Sequence, residues 1–595
     1  MKKIIPILLA IAVLYVALVG VLVSTLVFQL RAAYIHVRAH RFVEGANIAP
    51  RITNTFGFFD TATLRLVHNE VVLAKQVTQT IQHDLICADD GMNYFRSATT
   101  QSIDSAKTFS PDMWENMRAC VRESKQTLQD VQKHRTVFGL LPKNIKDAMM
   151  KFQTSSADID KALTLFPEFM KKPNSQYLVL LQNNMELRPT GGFLGSFAVI
   201  NLEYGNIKSI DVQDIYVPDG QLKGYVPPPA PVAKYLFQTG GWHLRDANWD
   251  PDFPTAAQTL QWFFNKGGYA QNDGIIATNF SLFQQILDVM GPIYLPDYGQ
   301  TVSAENMYGF TQVQTEQSFF PGSIQKQSIL GNIARAVLRD LPQLSPEKQL
   351  RIFQIMLQSL NSKDMMIWMK DSEKQSSIKE VGWDGGVREL KCSSENCIAD
   401  NLFIVEANVG INKTNCCVDR LASYDVWIAE DGSVTTTLEL AYDNHNPGKV
   451  LPPRTYGGGY SVYLRMLKNT PFTLTSIERD GVLIPQSDIT RTPRSSSTLQ
   501  EYGFQTLVNG GEKGVVLARF ESPQRVDLTQ AVVYTLLVQR QSGLLTNEYT
   551  IRFHYPPSVT VSLQDEHEEK SGVVEMKKTI KENTYIQVTI NPIAQ

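Results

Sequence analysis

The spacing of apolar residues divides the chain into regions with different predicted structures. Between residues 32 and 172, apolar side chains recur every three or four positions, as at Met117, Val121 and Leu128. This spacing places them on one face of amphipathic helices. The pattern predicts a helical region next to the membrane, and its simplest interpretation is a spacer or stalk.

An almost uninterrupted apolar stretch, Ile4 to Phe28, follows two lysines at the amino terminus. A helix of this length covers the roughly 30 Å hydrocarbon core of a bilayer and exceeds the apolar core of a signal peptide. Residues 1–31 are therefore predicted to be an uncleaved transmembrane signal anchor with a short cytoplasmic end. We expect a single span in the cell membrane, with the bulk of the chain extracytoplasmic, because long downstream domains translocate largely regardless of flanking charge.

Strand and helix patterns alternate between residues 173 and 400, which predicts an α/β domain. Its first strand, Tyr177 to Leu181, is apolar on both faces and runs into a polar, glycine-rich segment. Open α/β sheets bind ligands at the carboxyl ends of such strands. The candidate ligand-binding residues of this segment are Asn183, Asn184, Glu186, Arg188, Gly191 and Gly192.

A second polar segment, Arg245 to Pro254, carries carboxylates at Asp246, Asp250 and Asp252. Carboxylates on a loop can bind Mg²⁺ and leave its other positions to water and phosphate oxygens. Ordinary turn chemistry is the alternative, because Asp and Asn often bond their own backbone in turns. His243 is a candidate base beside this segment, although a satisfied polar residue is the simpler interpretation.

Residues 401–595 alternate apolar and polar positions in short strands separated by Gly, Pro and Asn turns. This pattern predicts an all-β, immunoglobulin-like sandwich region of one or two modules. The expected fold class is thus an α/β central domain, preceded by a transmembrane helix and a helical bundle and followed by a β-sandwich.

Composition narrows the classes of partner and chemistry. The formal net charge is −3 and no basic patch stands out, which argues against a nucleic-acid partner. No nucleophile elbow, zinc-protease helix, Walker loop or dinucleotide fingerprint is present. The six cysteines permit disulfides in an oxidising compartment or a thiolate metal site. The candidate disulfide pairs are Cys87 with Cys120 and Cys392 with Cys397. The alternative thiolate metal site combines Cys392 and Cys397 with Cys416 and Cys417.

Several segments taken together resemble one family. They are QNNMELRPTGGFLGSF, LRDANWDPDFPTAA, DGIIATNFSLFQQILDVMGPI, KDMMIWMKD and VGWDGG between residues 175 and 386, with YTLLVQRQSG near Tyr534. These segments resemble LytR-CpsA-Psr-related membrane proteins of bacterial envelopes that are catalogued only as a domain of unknown function. Their catalytic relatives are membrane-anchored phosphotransferases, which move glycopolymers from a polyprenyl-pyrophosphate carrier onto peptidoglycan with Mg²⁺, arginines and aspartates.

The resemblance implies a site and two alternative functions. In the first, the protein is a Mg²⁺-dependent glycopolymer phosphotransferase; Arg188, Arg245 and Asp246 are catalytic, Asp250 and Asp252 bind the metal, and Lys326 contacts substrate. In the second, it is a non-catalytic cell-surface scaffold or binding protein that retains the fold. The family's G-R-x-x-R-Q-Q run, which grips pyrophosphate, has its nearest counterpart at 322–328, where both arginines are missing. Lys326 keeps only a point charge in place of a planar guanidinium.

Overall fold

The computed structural model describes residues 21–593, except 23, 27, 34, 37–41, 63–67, 100–110, 141–142, 171, 237–239, 317–323, 393–395, 448–457, 470–471, 495–496, 546, 564 and 571. The chain divides into two compact units. The first comprises Met1–Ser175, Leu202–Lys208 and Leu338–Leu350, and the second comprises Gln176–Asn201, Ser209–Val337 and Arg351–Gln595.

The first unit is mainly helical. Its helices are α1 (Phe42–Ala46), α2 (Ala49–Ala62), α3 (His68–Thr99), α4 (Pro111–Lys133), α5 (Arg135–Leu140) and α6 (Lys143–Met170). Trp114, Leu128 and Leu163 are buried, as the three-and-four spacing requires of a packed helix face. A disulfide between Cys87 and Cys120 joins α3 to α4.

The predicted transmembrane helix is the part of the fold-class prediction that is wrong. In the described part of the chain, no helix combines the length and the apolar character needed to cross a bilayer. The longest, α3, has 32 residues but carries charges along its length, including Glu70, Lys75 and Asp84, and intramembrane charges are costly. The prediction rested on the apolar run from Ile4 to Phe28, of which residues 4–20 lie outside the described residues.

A five-stranded mixed sheet forms the α/β part. Its strands are β1 (Asn174–Asn183), β2 (Phe193–Glu203), β3 (Asn206–Asp214), β4 (Gly274–Asn279) and β7 (Met365–Met369), in the order β3-β2-β1-β4-β7, and β5 (Ile293–Leu295) pairs with β6 (Gln300–Val302) in a small separate sheet. Strands β1 and β4 are parallel, whereas β7 runs antiparallel to β4. Strand β1 lies inside the sheet between β2 and β4, and an interior strand next to a parallel partner is typically apolar on both faces.

Helices and one apolar core complete this part. The helices are α7 (Tyr216–Asp219), α8 (Ala230–Tyr235), α9 (Phe253–Lys266), α10 (Phe280–Met290), α11 (Met307–Glu316), α12 (Ile324–Asp340), α13 (Pro346–Asn361) and α14 (Ser372–Glu380). Leu178, Leu180 and Ile275 of the sheet pack in one core with Phe197 and Phe264, whose ring centroids are 5.0 Å apart. This core fixes the carboxyl end of β1, where the candidate site begins.

Two large sheets form the carboxyl region. Their strands are β8 (Cys397–Asn408), β9 (Val418–Ile428), β10 (Val434–Asn444), β11 (Tyr460–Asn469), β12 (Thr473–Arg479), β13 (Val482–Leu483), β14 (Thr490–Pro493), β15 (Leu499–Val508), β16 (Lys513–Ser522), β17 (Val532–Gln539), β18 (Glu548–His554), β19 (Val559–Leu563), β20 (Glu568–Lys570), β21 (Val573–Thr579) and β22 (Thr584–Pro592). The eight-stranded sheet has the order β13-β12-β16-β10-β9-β18-β21-β20, and the seven-stranded sheet has the order β14-β15-β11-β8-β17-β22-β19. Residues of both sheets share one buried core.

The two sheets contain two sets of strands joined edge to edge. Strands β8–β16 form the first set and β17–β22 the second, and the sets meet through the parallel pairs β8·β17 and β9·β18. Every other pairing within the two sheets is antiparallel. The two groups of strands therefore share continuous sheets.

Candidate functional site

The loop between β1 and β2, residues 184–192, folds tightly back on the end of β1. The amide of Glu186 donates to the carbonyl of Asn183 (3.1 Å), and that of Phe193 donates to the carbonyl of Glu186 (2.9 Å). Gly191 has φ +134°, and a Cβ there would lie 2.2 Å from Oδ1 of Asn279. Only glycine fits this backbone, so the glycine-rich pattern serves close packing of the loop.

Arg188 lies at the centre of this loop and is 2% exposed. Its Nη2 donates to Oε1 of Glu186 (2.9 Å) and Oδ1 of Asp246 (3.4 Å), and its Nη1 donates to the carbonyl of Asn408 (2.7 Å). Asn408 ends β8, so the guanidinium connects the α/β part to the sandwich within the second unit. The acceptors of this buried cation are protein atoms, as burial of a charge requires.

Arg245 and Asp246 extend the same chain of charges outward. Arg245 donates from Nη1 to Oδ2 of Asp219 (2.8 Å), and its Nε lies 3.6 Å from Oδ2 of Asp246. Burial raises the pKa of Asp246, although the charges of Arg188 and Arg245 oppose this shift. The Arg245 side chain is 19% exposed and is the more open of the two arginines. The structure thus brings the three predicted catalytic residues together, with Arg188 and Asp246 closed off from solvent.

Asn248 organises an uncharged network beside these ion pairs. Its Nδ2 donates to Oε1 of Gln182 (3.1 Å), Oγ1 of Thr190 (3.0 Å) and the carbonyl of Gly192 (2.9 Å). Gln182 donates in turn from Nε2 to the carbonyl of Thr190 (2.8 Å). These bonds fix the loop to the end of β1, while Oδ1 of Asn248 is buried without a hydrogen-bond partner among the described residues.

Asp250 and Asp252 bind protein donors. Asp250 accepts from Nη2 of Arg494 (2.7 Å) through Oδ1. Asp252 caps α9 by accepting from the amide of Thr255 (3.1 Å) through Oδ2, and its Oδ1 accepts from the amide of Val387 (2.8 Å). These contacts give both aspartates structural roles in the turn and in the helix cap, which is the turn chemistry that the sequence left open.

The positions of the carboxylates do not fit a Mg²⁺ site. Within the described residues, one group of three or more His, Cys, Asp or Glu side chains has ligand atoms close enough for a metal ion: His83, Cys87 and Cys120 of the first unit, whose cysteines form a disulfide. The three aspartates of the polar segment do not form such a group.

A loop of the sandwich, residues 540–544, locks onto the loop of Arg188. Gln541 donates from Nε2 to the carbonyl of Arg188 (3.2 Å), and Asn184 donates from Nδ2 to the carbonyl of Gly543 (3.2 Å). A Cβ on Gly543 would lie 2.2 Å from the carbonyl oxygen of Gly191. The two loops therefore touch through backbone as well as side chains, and we call this contact the domain junction.

Further contacts of the domain junction lie just after α13. Arg540 pairs with Asp364 (3.0 Å between Nη2 and Oδ2), and Asn279 donates from Nδ2 to Oδ1 of Asp364 (3.0 Å). Lys363 precedes Asp364, is 5% exposed, and its Nζ lacks a hydrogen-bond partner among the described residues. Burial lowers the pKa of Lys363 to about 7, and the charge of Arg388 contributes to this decrease.

The remaining predicted residues have less central positions. Asn183 accepts from the amide of Met185 (3.1 Å) and stabilises the turn. Burial, followed by the charge of Arg245, lowers the pKa of the half-buried His243. Lys326 belongs to α12, and its side chain lies outside the described residues.

Sequence reasoning missed most partners in the domain junction. Four residues were not candidates, although they contact Arg245, Arg188 or Asn279, which packs against Gly191. They are Asp219, Asp364, Asn408 and Gln541. One signal was present, since Gln541 belongs to the segment YTLLVQRQSG that extended the family resemblance. The predicted resemblance of this segment did not indicate that it packs against the first segment.

Comparison with known proteins supports the coarse family assignment. Residues 173–315 match a family model described as "Protein of unknown function (DUF4012)", which confirms the predicted domain of unknown function. The match covers the α/β part from β1 to α11. No curated protein matches the chain.

Two solved structures illustrate weak structural similarity. A Legionella pneumophila protein described as nutrient binding aligns at 6% identity with a TM-score of 0.22, over 33% of this chain and 72% of that protein. An M1 zinc metallopeptidase from Deinococcus radiodurans aligns at 10% identity with a TM-score of 0.14, over 30% of this chain and 42% of the enzyme. This chain thus spans less than half of the metallopeptidase, and such low TM-scores carry no argument about function.

Proposed function

We propose that the protein is a non-catalytic scaffold or binding protein of the bacterial cell envelope. In this proposal its α/β part is a LytR-CpsA-Psr-like domain whose charged residues join it to the β-sandwich. The observation that carries the proposal is the burial of Arg188, which is 2% exposed. Its guanidinium donates hydrogen bonds to Glu186, Asp246 and the carbonyl of Asn408.

The energy of these contacts argues against a phosphate-binding role. A phosphate would have to displace the carboxylates and the carbonyl from the guanidinium, and breaking a buried pair costs about 3–5 kcal/mol. It would also have to enter the contact between the 184–192 and 540–544 loops. A residue kept for catalysis is normally accessible to the reacting atoms, whereas Arg188 is enclosed by two parts of its own chain.

The disulfides support an extracytoplasmic location. Cys87 pairs with Cys120 and Cys392 with Cys397, the two candidate pairs of the sequence analysis, and the adjacent Cys416 and Cys417 form a third bond. All six cysteines of the sequence are used. Disulfides persist in oxidising compartments such as the cell exterior, and are rare in the reducing cytosol.

Phosphotransfer remains a second candidate because of one observation. Arg245 is partly exposed at the outer end of the charge chain, beside Asp246, whose pKa is raised. Perturbed carboxyls next to an accessible cation are a feature of active sites. Under this alternative, a polyprenyl-pyrophosphate-linked glycopolymer is the donor and a peptidoglycan hydroxyl is the acceptor. The glycan-linked phosphate moves to that hydroxyl, the P–O–P bond breaks, and Arg245 contacts the phosphate that leaves on the polyprenyl carrier.

A transfer assay distinguishes the two candidates. The full chain is mixed with a polyprenyl-pyrophosphate-linked oligosaccharide, a peptidoglycan fragment and Mg²⁺, and the glycosylated fragment is measured by mass spectrometry. We expect no product above the rate of a protein-free control. Product formation that is lost in Arg245→Ala, while the exposed Arg519→Ala retains it, would overturn the scaffold proposal and support the transferase.

A further inference from the structure

An exposed tryptophan stands on the outer face of the eight-stranded sheet. Trp427 is 49% exposed near the end of β9, a strand whose alternate residues are buried. Its indole stacks on the imidazole of His554 from β18, with ring centroids 3.5 Å apart and planes 4° from parallel. Strand register places these two residues side by side. One indole face is therefore covered by His554.

The other indole face borders a small neighbour. Thr435 of β10 is directly opposite Trp427 and is exposed. Among the described residues, His554 is the one aromatic ring that stacks on Trp427. A large apolar surface of the indole is thus left in water, beside a hydroxyl that can both donate and accept hydrogen bonds.

A chain of polar contacts holds the indole platform in place. Nε2 of His554 lies 2.8 Å from Oδ1 of Asp425, whose Oδ2 is 3.4 Å from Nη1 of Arg552. Arg552 also donates from Nε to Oε2 of Glu575 (2.7 Å). Side chains fixed in this way lose little conformational entropy when a ligand binds. The stacked pair is consequently a preorganised surface.

The surrounding charges are balanced. Two carboxylates, Asp425 and Glu575, accompany two cations, Arg552 and Lys577, and Nζ of Lys577 lies 4.0 Å from Oε1 of Glu575. A phosphate or nucleic acid would require a positive surface. Balanced donors and acceptors instead suit a neutral ligand with many hydroxyl groups.

The apolar residues of this face are too dispersed for a stable protein interface. Leu421 is the other exposed apolar residue of β9, and it lies six positions from Trp427, or about 20 Å along the strand. Protein interfaces normally bury a continuous patch with an apolar centre. A single rigid indole inside a polar surface matches a sugar ring, whose C–H face is apolar and whose edge is hydroxylated.

We propose that Trp427 is the platform of a glycan-binding site, at which a neutral pyranose ring stacks on the indole and Asp425, Arg552 and Thr435 contact its hydroxyl groups. This inference deepens the proposed function, because it rests on the envelope-binding proposal for the choice of glycan. The ligand class is a neutral pyranose oligomer.

The test is a titration of the full chain with N-acetylglucosamine tetramer, and separately with cellotetraose, by isothermal calorimetry. We expect saturable binding of at least one oligomer, weakened at least tenfold in Trp427→Ala and largely retained in Trp427→Phe. The matched control is Trp262→Ala, which removes a tryptophan that is 43% exposed on α9. Its affinity is expected to stay within twofold of the original.

Three outcomes would overturn the inference: no binding of either oligomer at millimolar concentration, equal loss in both alanine variants, or unchanged affinity in Trp427→Ala. A thermal melt of each variant separates loss of the site from loss of fold. Failure here would leave the scaffold proposal standing, because glycan transfer and pyrophosphate binding test that proposal independently of Trp427. Conversely, observed transfer with unchanged binding at Trp427 would reject the scaffold and retain this site.

Discussion

Replacing Arg188 with methionine tests the structural role of the buried guanidinium. Methionine has similar length but cannot bond to Glu186, Asp246 or the carbonyl of Asn408, which lie 2.7–3.4 Å from the two terminal nitrogens. Both carboxylates would stay buried without this cation. Removing one partner of a buried pair costs about 3–5 kcal/mol, and we expect about 4 kcal/mol at pH 7.

The loss should depend on pH in a defined direction. Burial already raises the pKa of Asp246, and Arg188 is the largest opposing influence. In Arg188→Met the folded-state pKa of Asp246 therefore rises further above its unfolded value. The resulting penalty is full when the pH exceeds the folded pKa, and it is relieved as the pH falls from the folded pKa towards the lower unfolded pKa. The variant should be less destabilised at pH 5 than at pH 7.

Native-state hydrogen exchange is the appropriate assay, because the chain has two units and a single global unfolding free energy is not defined. Peptides from β1, β2 and β8 should exchange faster in Arg188→Met, and Arg188→Met combined with Glu186→Gln should recover part of the loss. Arg519→Met, at an exposed pair with Glu478, is the control and should cost under about 1 kcal/mol. An Arg188→Met effect no larger than this control would refute the structural role, since residues retained for binding often cost little stability when removed.

Three further predictions concern other parts of the molecule. Lys363→Met should stabilise the protein by about 4 kcal/mol at pH 7. The folded pKa of Lys363 is about 7 and its ordinary value is 10.5, so the unmodified protein loses stability as the pH falls from 10.5 to 7, and pH-dependent thermal melts should show the difference between the two proteins disappear above pH 10.5. Gly191→Ala should cost about 3 kcal/mol or more, measured by native-state hydrogen exchange of β1 and β2 peptides, because its Cβ meets Asn279. Gly224→Ala, with φ +94° and open space, should cost about 1 kcal/mol in the same assay, and equal losses would contradict the packing argument. Replacing Cys87 and Cys120 with serine should destabilise the helical unit by about 4 kcal/mol, because the disulfide closes a loop with a sequence separation of 33 residues. Limited proteolysis should then cleave α3 faster, and an unchanged cleavage rate would contradict this prediction.

Local sequence patterns were sufficient to predict individual helices and strands. The segment Phe280 to Met290, followed by Gly291, indicates a helix and its end, and α10 has these bounds with Gly291 at φ +93°. The apolar run from Tyr177 to Leu181 lies inside β1. Such elements are predictable because their signals, periodicity and turn chemistry, come from residues close in sequence.

The role of the candidate site depended on distant residues. A polar, arginine-bearing segment after a buried strand has the same sequence pattern whether it faces a ligand or another domain. The carbonyl that Arg188 binds belongs to Asn408, 220 positions away, and the donor to its own carbonyl is Gln541, 353 positions away. Sequence supplied the residue types, while burial by the sandwich determined which contacts they make.

Calorimetric titration with geranyl pyrophosphate, with and without Mg²⁺, tests most directly whether Arg188 holds the domains together or holds a ligand. The scaffold account predicts no saturable, Mg²⁺-dependent heat for the unmodified chain, because the guanidinium already binds Glu186, Asp246 and the carbonyl of Asn408. Saturable Mg²⁺-dependent binding that is lost in Arg188→Lys and Asp250→Ala, in variants that melt at the original temperature, would contradict it.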